Sequence, residues 1–500
     1  MKINELLSPE LEQLLLSQQD ICGDIFLVGG AIRNSYLRKE IQDIDLVVRQ
    51  NPAKIAKRIA DFFHGDYYVM DKTRGTARAL IILNCKKLKV DVAQMVGDSI
   101  NGDLAMRDFT INAIAMQIPV IDEVIDPLGG ESDIFNGNLR PCSPTSFEDD
   151  PVRVIRAIRF INEFDLTFDP IDIDGLRTAA KNLDLVSGER KRDEIINILE
   201  KTDVKQSLKL MLDFEILKEI FPEVAFLEKL DLDTPHVHNA WEHTCQVVDY
   251  CQQLLGLISN CNAAKEISPR IRQAYEELQK FQKLISADLS DSIASERSKS
   301  ALLLFAGIYH DAGKGLIEPV YKDGRKSYPN HAKVSSDLIR DKAKTMGFSK
   351  SEIEFLTNIV RFHMKLSRPS FIDLDEKDVQ IHRFFNNVGP AGIFVGLIHL
   401  ADVLATYEQT LTEDRWERAI SSVYNIFDAY YFQFDRIIHP PKILDGYDLI
   451  KEFDLPPGKN FRKLLGLVAE EQVRGGITSK NDAKKFIGGL LTDERKQGNL

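Results

Sequence analysis

The first hundred positions alternate between short apolar runs and amphipathic stretches. Runs at 24–28, 44–48, 67–70, 76–83 and 89–93 read as strands. Between them, 6–18, 31–37 and 52–63 carry apolar residues at helical spacing. Asn84-Cys85-Lys86-Lys87 reads as a hairpin turn. Beyond 145 the pattern turns helical, first to about 223 and then through to the end. After His439, Pro-Pro and Pro-Gly pairs separate short helices. The fold class expected is therefore α+β, with a small mixed-sheet head followed by all-helical domains.

A chain of 500 residues exceeds one ordinary core, so two to four domains are expected. The pattern divides it at 1–145, 146–225, 226–425 and 426–500. A charged stretch at 261–300 reads as a solvated helical hairpin inserted on the surface. The formal net charge of -12 argues against a general nucleic-acid coat but leaves room for a local basic groove. Cysteines 22, 85, 142, 245, 251 and 261 lack zinc-type spacing and read as reduced thiols of a cytosolic protein. The amphipathic N-terminus lacks a signal peptide's apolar segment, and no stretch reads as long and apolar enough to cross a membrane. A cytoplasmic location without membrane contact is expected.

The chemistry concentrates at 26–48, FLVGGAIRNSYLRKEIQDIDLVV. Asp43 and Asp45 stand two apart on a strand, so their carboxylates share a face. Like charges held side by side call for a cation, and magnesium takes oxygen ligands. Asp91, on a later strand, would complete a three-carboxylate site. Gly29 and Gly30 remove side chains where backbone must approach a ligand, and Arg33 adds a guanidinium fork for a triphosphate. A DxD triplet alone also fits a surface turn. The glycines upstream and the later acid favour nucleotide transfer with two magnesium ions.

These residues resemble the signature of the class II tRNA nucleotidyltransferase and bacterial poly(A) polymerase family, which has a polymerase-beta-like head. The family pattern GGxxR followed by DxD is met by Gly29, Gly30, Arg33, Asp43 and Asp45. Its RRDFTxNA motif reads Met106-Arg107-Asp108-Phe109-Thr110-Ile111-Asn112-Ala113, with Met106 in place of the first Arg. Its acidic-acidic-x-x-Arg element reads DDPVRVIRAIRF, with Asp149 where Glu is usual and with Asp150 and Arg153 retained. The resemblance implies that Asp150 and Arg153 read the base edge of CTP, with ATP as the further candidate. It places Arg107 to steady Arg153 or the nucleotide. Arg156 and Arg159 share a helical face that could meet triphosphate or RNA backbone. In SGERKRDEI, charged residues 189, 190 and 194 read as packing groups of the neck helix. Relatives that build the whole CCA end carry a flexible loop between the third carboxylate and the RRDF motif. Here only VAQMVGDSINGDLAM intervenes, which tilts the expectation toward CC addition.

The middle of the chain resembles the HD phosphohydrolase superfamily, through HNAWEHT, LLLFAGIYHDAGK, YPNHAKVS, IVRFHMKLSRP and LIHLADVLAT. The likeness implies metal ligands at His243, His310, Asp311 and Asp402, with His331 and His363 as the two further histidines of dinuclear members. His238 is a weaker candidate. Such a set suits Mg2+ or a divalent transition metal and would activate water against a phosphoester. The tail elements GYDL, LPPGxxF and GGITSKxDA resemble the family's tRNA-holding domain, with Lys459, Arg462 and Lys463 as a basic cluster. The expected activity is template-independent transfer of CMP, with AMP as the further candidate, to a tRNA 3′ end. The alternatives are an A-adding enzyme, a poly(A) polymerase, or an HD phosphohydrolase with an RNA-holding head. No obligate protein partner is implied.

Overall fold

A computed structural model describes residues 6–41, 43–71, 75–83, 86–119, 123–260, 266–294, 297–322, 324–367, 371 and 376–496. The hairpin turn expected at Asn84-Cys85 and the thiol of Cys261 lie outside these residues. The chain forms two compact units, Met1–Glu194 with Asp213–Glu219, and Ile195–Leu212 with Ile220–Leu500. The division expected at 145 falls inside the first unit. The reason is packing: Phe160, on the helix Val152–Phe164, meets Phe109 edge-on at 5.6 Å between ring centres.

The first unit is built on one six-stranded sheet: β1 (Ile25–Val28), β2 (Asp43–Val48), β3 (Asp66–Asp71), β4 (Thr76–Leu83), β5 (Lys86–Gln94) and β6 (Ala115–Gln117). Their spatial order is β3-β4-β5-β2-β1-β6. Within this sheet, among the described residues, only β2 and β5 pair in parallel, because the helix Pro52–Phe62 and the β3–β4 meander carry the chain across between them. One face, with Ile44, Leu46, Val48, Ala77, Ala79 and Ile81, is buried. The helix Pro52–Phe62 buries Ile55, Ala56 and Ile59 on that side, and its 3.6-residue apolar stripe is what makes it amphipathic. On the other face Phe26, Val28 and Val47 pack with Met95, Leu104, Ala113 and Ala115. The stretch following Asp91 is compact. It continues β5 to Gln94 and then forms the helix Ile100–Ala105, whose Asp103 carboxylate accepts from Val96 N–H at 2.9 Å.

The second unit is helical. The helix Lys299–Tyr309 is buried along Ala301–Tyr309, as its apolar sequence on all sides requires. The stretch Lys377–Thr410 is, contrary to the sequence reading, apolar and long enough by composition to cross a membrane, yet 78% of its most apolar window is buried. It supplies core, including the helix Gly392–Tyr407. The stretch expected to be a solvated hairpin is instead part of the core. Phe281 is fully buried against Tyr424, Phe427 and Tyr431 of the helix Glu413–Phe432. Ile271, Ala274, Leu278, Ile285 and Leu289 are buried with it, an apolar stripe that the dense surrounding charge obscures. The tail helices Gly446–Phe453, Lys459–Arg474 and Lys480–Lys496 enclose a small core of their own around Leu449, Leu464, Val468, Ala483 and Ile487. Cys22, Cys142, Cys245 and Cys251 are unpaired thiols.

Candidate functional site

In the first unit the sheet register itself assembles the carboxylates. Val28 faces Asp45 across the β1–β2 pair, and Asp45 faces Asp91 across the parallel β2–β5 pair. Asp43 lies two residues earlier on the same face of β2 and is exposed. Immediately after Val28 the chain turns at Gly29, whose φ of +72° lies in the region that favours glycine. A Cβ there would stand 3.3 Å from Arg107 Nη1 and 3.7 Å from Asp45 Oδ2. The missing side chain thus lets a guanidinium and a carboxylate close on the turn. Gly30 sits in the same crowd, 3.6 Å from Arg33 Nη2 by the same measure.

Burial first, and then the neighbouring Asp91, pushes the Asp45 carboxyl up to about 6; Arg107 opposes the shift and Asp43 adds to it. Both neighbouring acids raise the Asp45 carboxyl, a repulsion that a divalent cation with oxygen preference relieves, so these donors suit magnesium in kind. Asp91 already has one partner. Arg78 on β4, directly opposite in register, donates Nε–H and Nη2–H to its two oxygens at 2.6 and 2.7 Å.

The arginines divide by placement. Arg107 borders the turn and pairs with Asp103 at 3.2 Å. Arg33 is buried, donates to Asn112 and to Asn34, and lies 4.3 Å over the Phe164 ring. Arg153 is fixed to the wall, with Nη1 donating to Ser146 Oγ at 2.8 Å and Nη2 to Met106 O at 2.8 Å. Asp150 pairs with Arg190, 2.6 Å away, rather than with Arg153. By sequence Arg190 reads as a packing group, and its separation of 40 positions from Asp150 hides this pair from any local motif.

Arg156 and Arg159, expected to meet phosphate, are taken up by internal carboxylates. Arg156 donates to Asp108 Oδ2 at 2.8 Å and to Glu194 Oε1 at 3.0 Å. Arg159 donates to Glu194 Oε2 at 3.0 Å and to Glu163 Oε2 at 2.9 Å. Glu194 therefore does hold the neck helix, as its sequence suggested. Asp108 is a hub the sequence reading did not single out. Although burial opposes it, Arg156, Asn112 and the Phe109 N–H hold its carboxyl down at about 2.

The second unit gathers His243, His310, Asp311, His331, His363 and Asp402 into one buried cluster. Among the described residues two groups have spacing suited to a metal ion: His243, His310 and Asp311, and Asp311, His331 and His363. Asp311 belongs to both. Its Oδ2 lies 3.4 Å from His310 Nε2 and 3.6 Å from His243 Nε2, and its Oδ1 3.2 Å from His331 Nε2 and 3.8 Å from His363 Nε2. Asp402 Oδ1 is 3.2 Å from His243 Nε2.

Helix ends orient these rings. The Nδ1 atoms of His310, His331 and His363 each lie within 2.7–2.8 Å of the carbonyl three residues earlier, at Gly307, Tyr328 and Val360. A ring that donates Nδ1–H to a carbonyl presents the lone pair of Nε2, the arrangement of a metal ligand. The buried Nε2 atoms of His331 and His363 have no hydrogen-bond partner, and burial presses His363 down to about 3, keeping it neutral. Orphaned imidazole nitrogens around a shared carboxylate fit a pair of divalent ions. Lys314 reaches Asp311 Oδ2 at 2.6 Å. His236, which the sequence reading passed over, has its ring 5.2 Å from that of His243. His238 is elsewhere, 3.1 Å from Glu408. In the tail, Arg462 and Lys463 are exposed on the helix Lys459–Arg474, and the side chain of Lys459 lies outside the described residues.

Three family models match: the Poly A polymerase head domain over 25–140, the Probable RNA and SrmB- binding site of polymerase A over 173–227, and the HD domain over 282–407. A CC-adding tRNA nucleotidyltransferase of Geobacter sulfurreducens is 35% identical over 175 residues, 35% of this chain and 40% of the relative. A multifunctional CCA protein of Psychromonas ingrahamii is 30% identical over 335 residues, 63% of this chain and 69% of the relative. An A-adding tRNA nucleotidyltransferase of Deinococcus radiodurans is 24% identical over 475 residues, 92% and 94% of the two chains. The chain thus matches about two-fifths of the length of the CC-adding relatives. A solved CCA-adding enzyme in its apo form shares the fold with a TM-score of 0.60 at 19% identity, covering 100% of this chain and 98% of that one.

Proposed function

The chain belongs to the tRNA nucleotidyltransferase family with a poly(A) polymerase head and an HD domain, and from that premise we propose that it extends the 3′ end of tRNA with nucleotides drawn from CTP. The observation that carries the reading is the parallel register that sets Asp45 beside Asp91 under the Gly29-Gly30 turn.

Asp43, Asp45 and Asp91 would hold magnesium, which when bound supplies charge neutralisation and a more acidic ribose hydroxyl. The remaining work belongs to the protein. The glycine turn leaves room for the triphosphate beside Arg107. Arg33, braced by Asn112 and Phe164, keeps the helix Gly30–Tyr36 in place behind it. Asp150 offers only acceptors and Arg153 only donors, which suits the amino edge of cytosine or adenine and rejects the carbonyl-rich edges. Arg190 holds Asp150 in place through an ion pair at 2.6 Å.

Addition of two cytidines and no adenosine is supported by the compact 92–106 stretch and by the CC-adding relatives. Incubating the protein with tRNA lacking CCA and each labelled triphosphate tests both levels. Two cytidines incorporated without adenosine is the expected result. Adenosine added to a CC-ended tRNA would overturn the CC-only reading, and no incorporation at all would overturn the whole.

A second activity, metal-dependent phosphoester hydrolysis, is favoured by the two ligand groups that share Asp311. His243, His310, His331, His363 and Asp402 would hold the ions with it. Lys314, buried beside Asp311, adds a positive charge at that wall. Phosphate release from a 3′-phosphorylated or 2′,3′-cyclic RNA end, assayed with added manganese, nickel or magnesium, is the test.

A further inference from the structure

Four strands carry one continuous row on the face of the catalytic carboxylates. Tyr68 of β3 faces Arg78 of β4, Arg78 faces Asp91 of β5, and Asp91 faces Asp45 of β2. Residues directly opposite in a sheet project to the same side. Over β1 and β2 this face is covered by the Phe26, Val28 and Val47 core. Over β3 and β4 it is open: Tyr68 is 41% exposed and Ile82 64%. An aromatic ring and an arginine therefore continue the line of acids onto bare sheet. Arg78 spends Nε–H and one Nη2–H on Asp91, and its Nη1 lies 3.5 Å from the Tyr68 hydroxyl. A guanidinium has five N–H donors, so some remain for another acceptor.

From this placement we infer that Tyr68 and Arg78 seat the 3′-terminal nucleotide of the RNA, the ring stacking on its base and the guanidinium taking its phosphate. The inference rests on the nucleotidyltransferase reading and adds where the acceptor strand lies. Strands are about 4.8 Å apart, so Tyr68 stands two spacings, roughly 10 Å, from Asp91. That is the reach of one nucleotide from its 3′ oxygen to the far edge of its base. Aromatic stacking accepts any base, as an enzyme working on many tRNAs requires. The charge fits as well. Asp91 turns Arg78 toward the site, and a phosphate there meets a cation rather than the three acids alone. Arg78 is a positioning residue for Asp91 and a binding residue for RNA, and Tyr68 is a binding residue.

The test uses full-length protein and a tRNA transcript lacking CCA whose last nucleotide is 2-aminopurine, with EDTA present so that binding is read apart from chemistry. Saturating wild-type protein is expected to quench the probe several-fold. Tyr68→Phe should quench equally, and Tyr68→Ala should leave the probe bright while the tRNA stays bound. In steady state Tyr68→Ala should raise the KM for tRNA roughly tenfold with the KM for CTP unchanged. Arg78→Gln should flatten the salt dependence of binding by about one phosphate contact. Equal quenching by Tyr68→Ala and wild type, in an enzyme that incorporates CMP, would overturn this inference and leave the parent reading standing. A wild-type protein that neither binds tRNA nor incorporates CMP would overturn both.

Discussion

At the scale of single residues, the carboxylates carry the clearest consequences. Burial and the neighbouring Asp91 push the Asp45 carboxyl up to about 6, against an ordinary value of 3.8. The folded state then keeps its proton to higher pH than the unfolded chain. Ionised Asp45 therefore costs stability from about pH 4 upward, in full above about pH 6. Asp45→Asn should raise the unfolding temperature measured in chelator at neutral pH, by an amount equivalent to roughly 3 kcal/mol. The same change should lower CMP incorporation at least about a thousandfold, since nothing else in the row replaces its oxygens. A variant that is both less stable and fully active would contradict this account. These acids were readable in the sequence because strand periodicity is local: two apart on β2 means one face. Arg78 was not readable as the partner of Asp91, because that pairing depends on the β4–β5 register. Arg190 was hidden from Asp150 for the same reason at longer range.

At the scale of elements, close approach and helix ends decide. Gly313 follows the His310-Asp311 doublet, and a Cβ on it would stand 2.5 Å from His331 O and 2.6 Å from Ser335 N. The helix His331–Thr345 can place its first residue at the cluster only because that side chain is missing. Gly313→Ala should push this helix away and lower the bound metal to about one ion per chain, read by elemental analysis. Retention of the full wild-type metal content would show that the helix is free to yield.

The helix Lys350–Phe362 is anchored differently. Its Glu352 accepts from Arg297 at 2.9 and 3.0 Å and from the Ser349 N–H at 2.8 Å. Against the effect of burial, these donors bring the carboxyl from 4.5 down to about 2. Its stabilising effect is present above pH 4.5 and lost as the pH falls through about 2. Glu352→Gln should weaken the fold by roughly 2 kcal/mol at neutral pH, and the difference should shrink toward pH 2 in denaturant titrations. The helices at 269–290 show what charge conceals. Their apolar positions keep helical spacing, but in a sequence this polar they gave no sign of facing the core.

At the scale of the whole molecule, two candidate ligand sets of different chemistry fall in two separate units, the acids on β2 and β5 in one and mostly imidazoles in the other. Asp311→Ala removes the ligand common to both groups of the second unit. It should abolish metal binding there and any phosphohydrolase activity while leaving CMP incorporation within about twofold of wild type. Asp45→Asn should do the reverse. Loss of both activities from either change would tie the units together.

The parallel pairing of β2 with β5 has a further meaning for how such a site ages and varies. The spacing of its acids is a lattice constant of the backbone, fixed by main-chain hydrogen bonds before any side chain is chosen. Packing substitutions elsewhere in the unit can erode the margin of stability without detuning the chemistry. As the protein is warmed, its catalytic competence should therefore vanish together with the sheet, in one step, with no gradual drift beforehand.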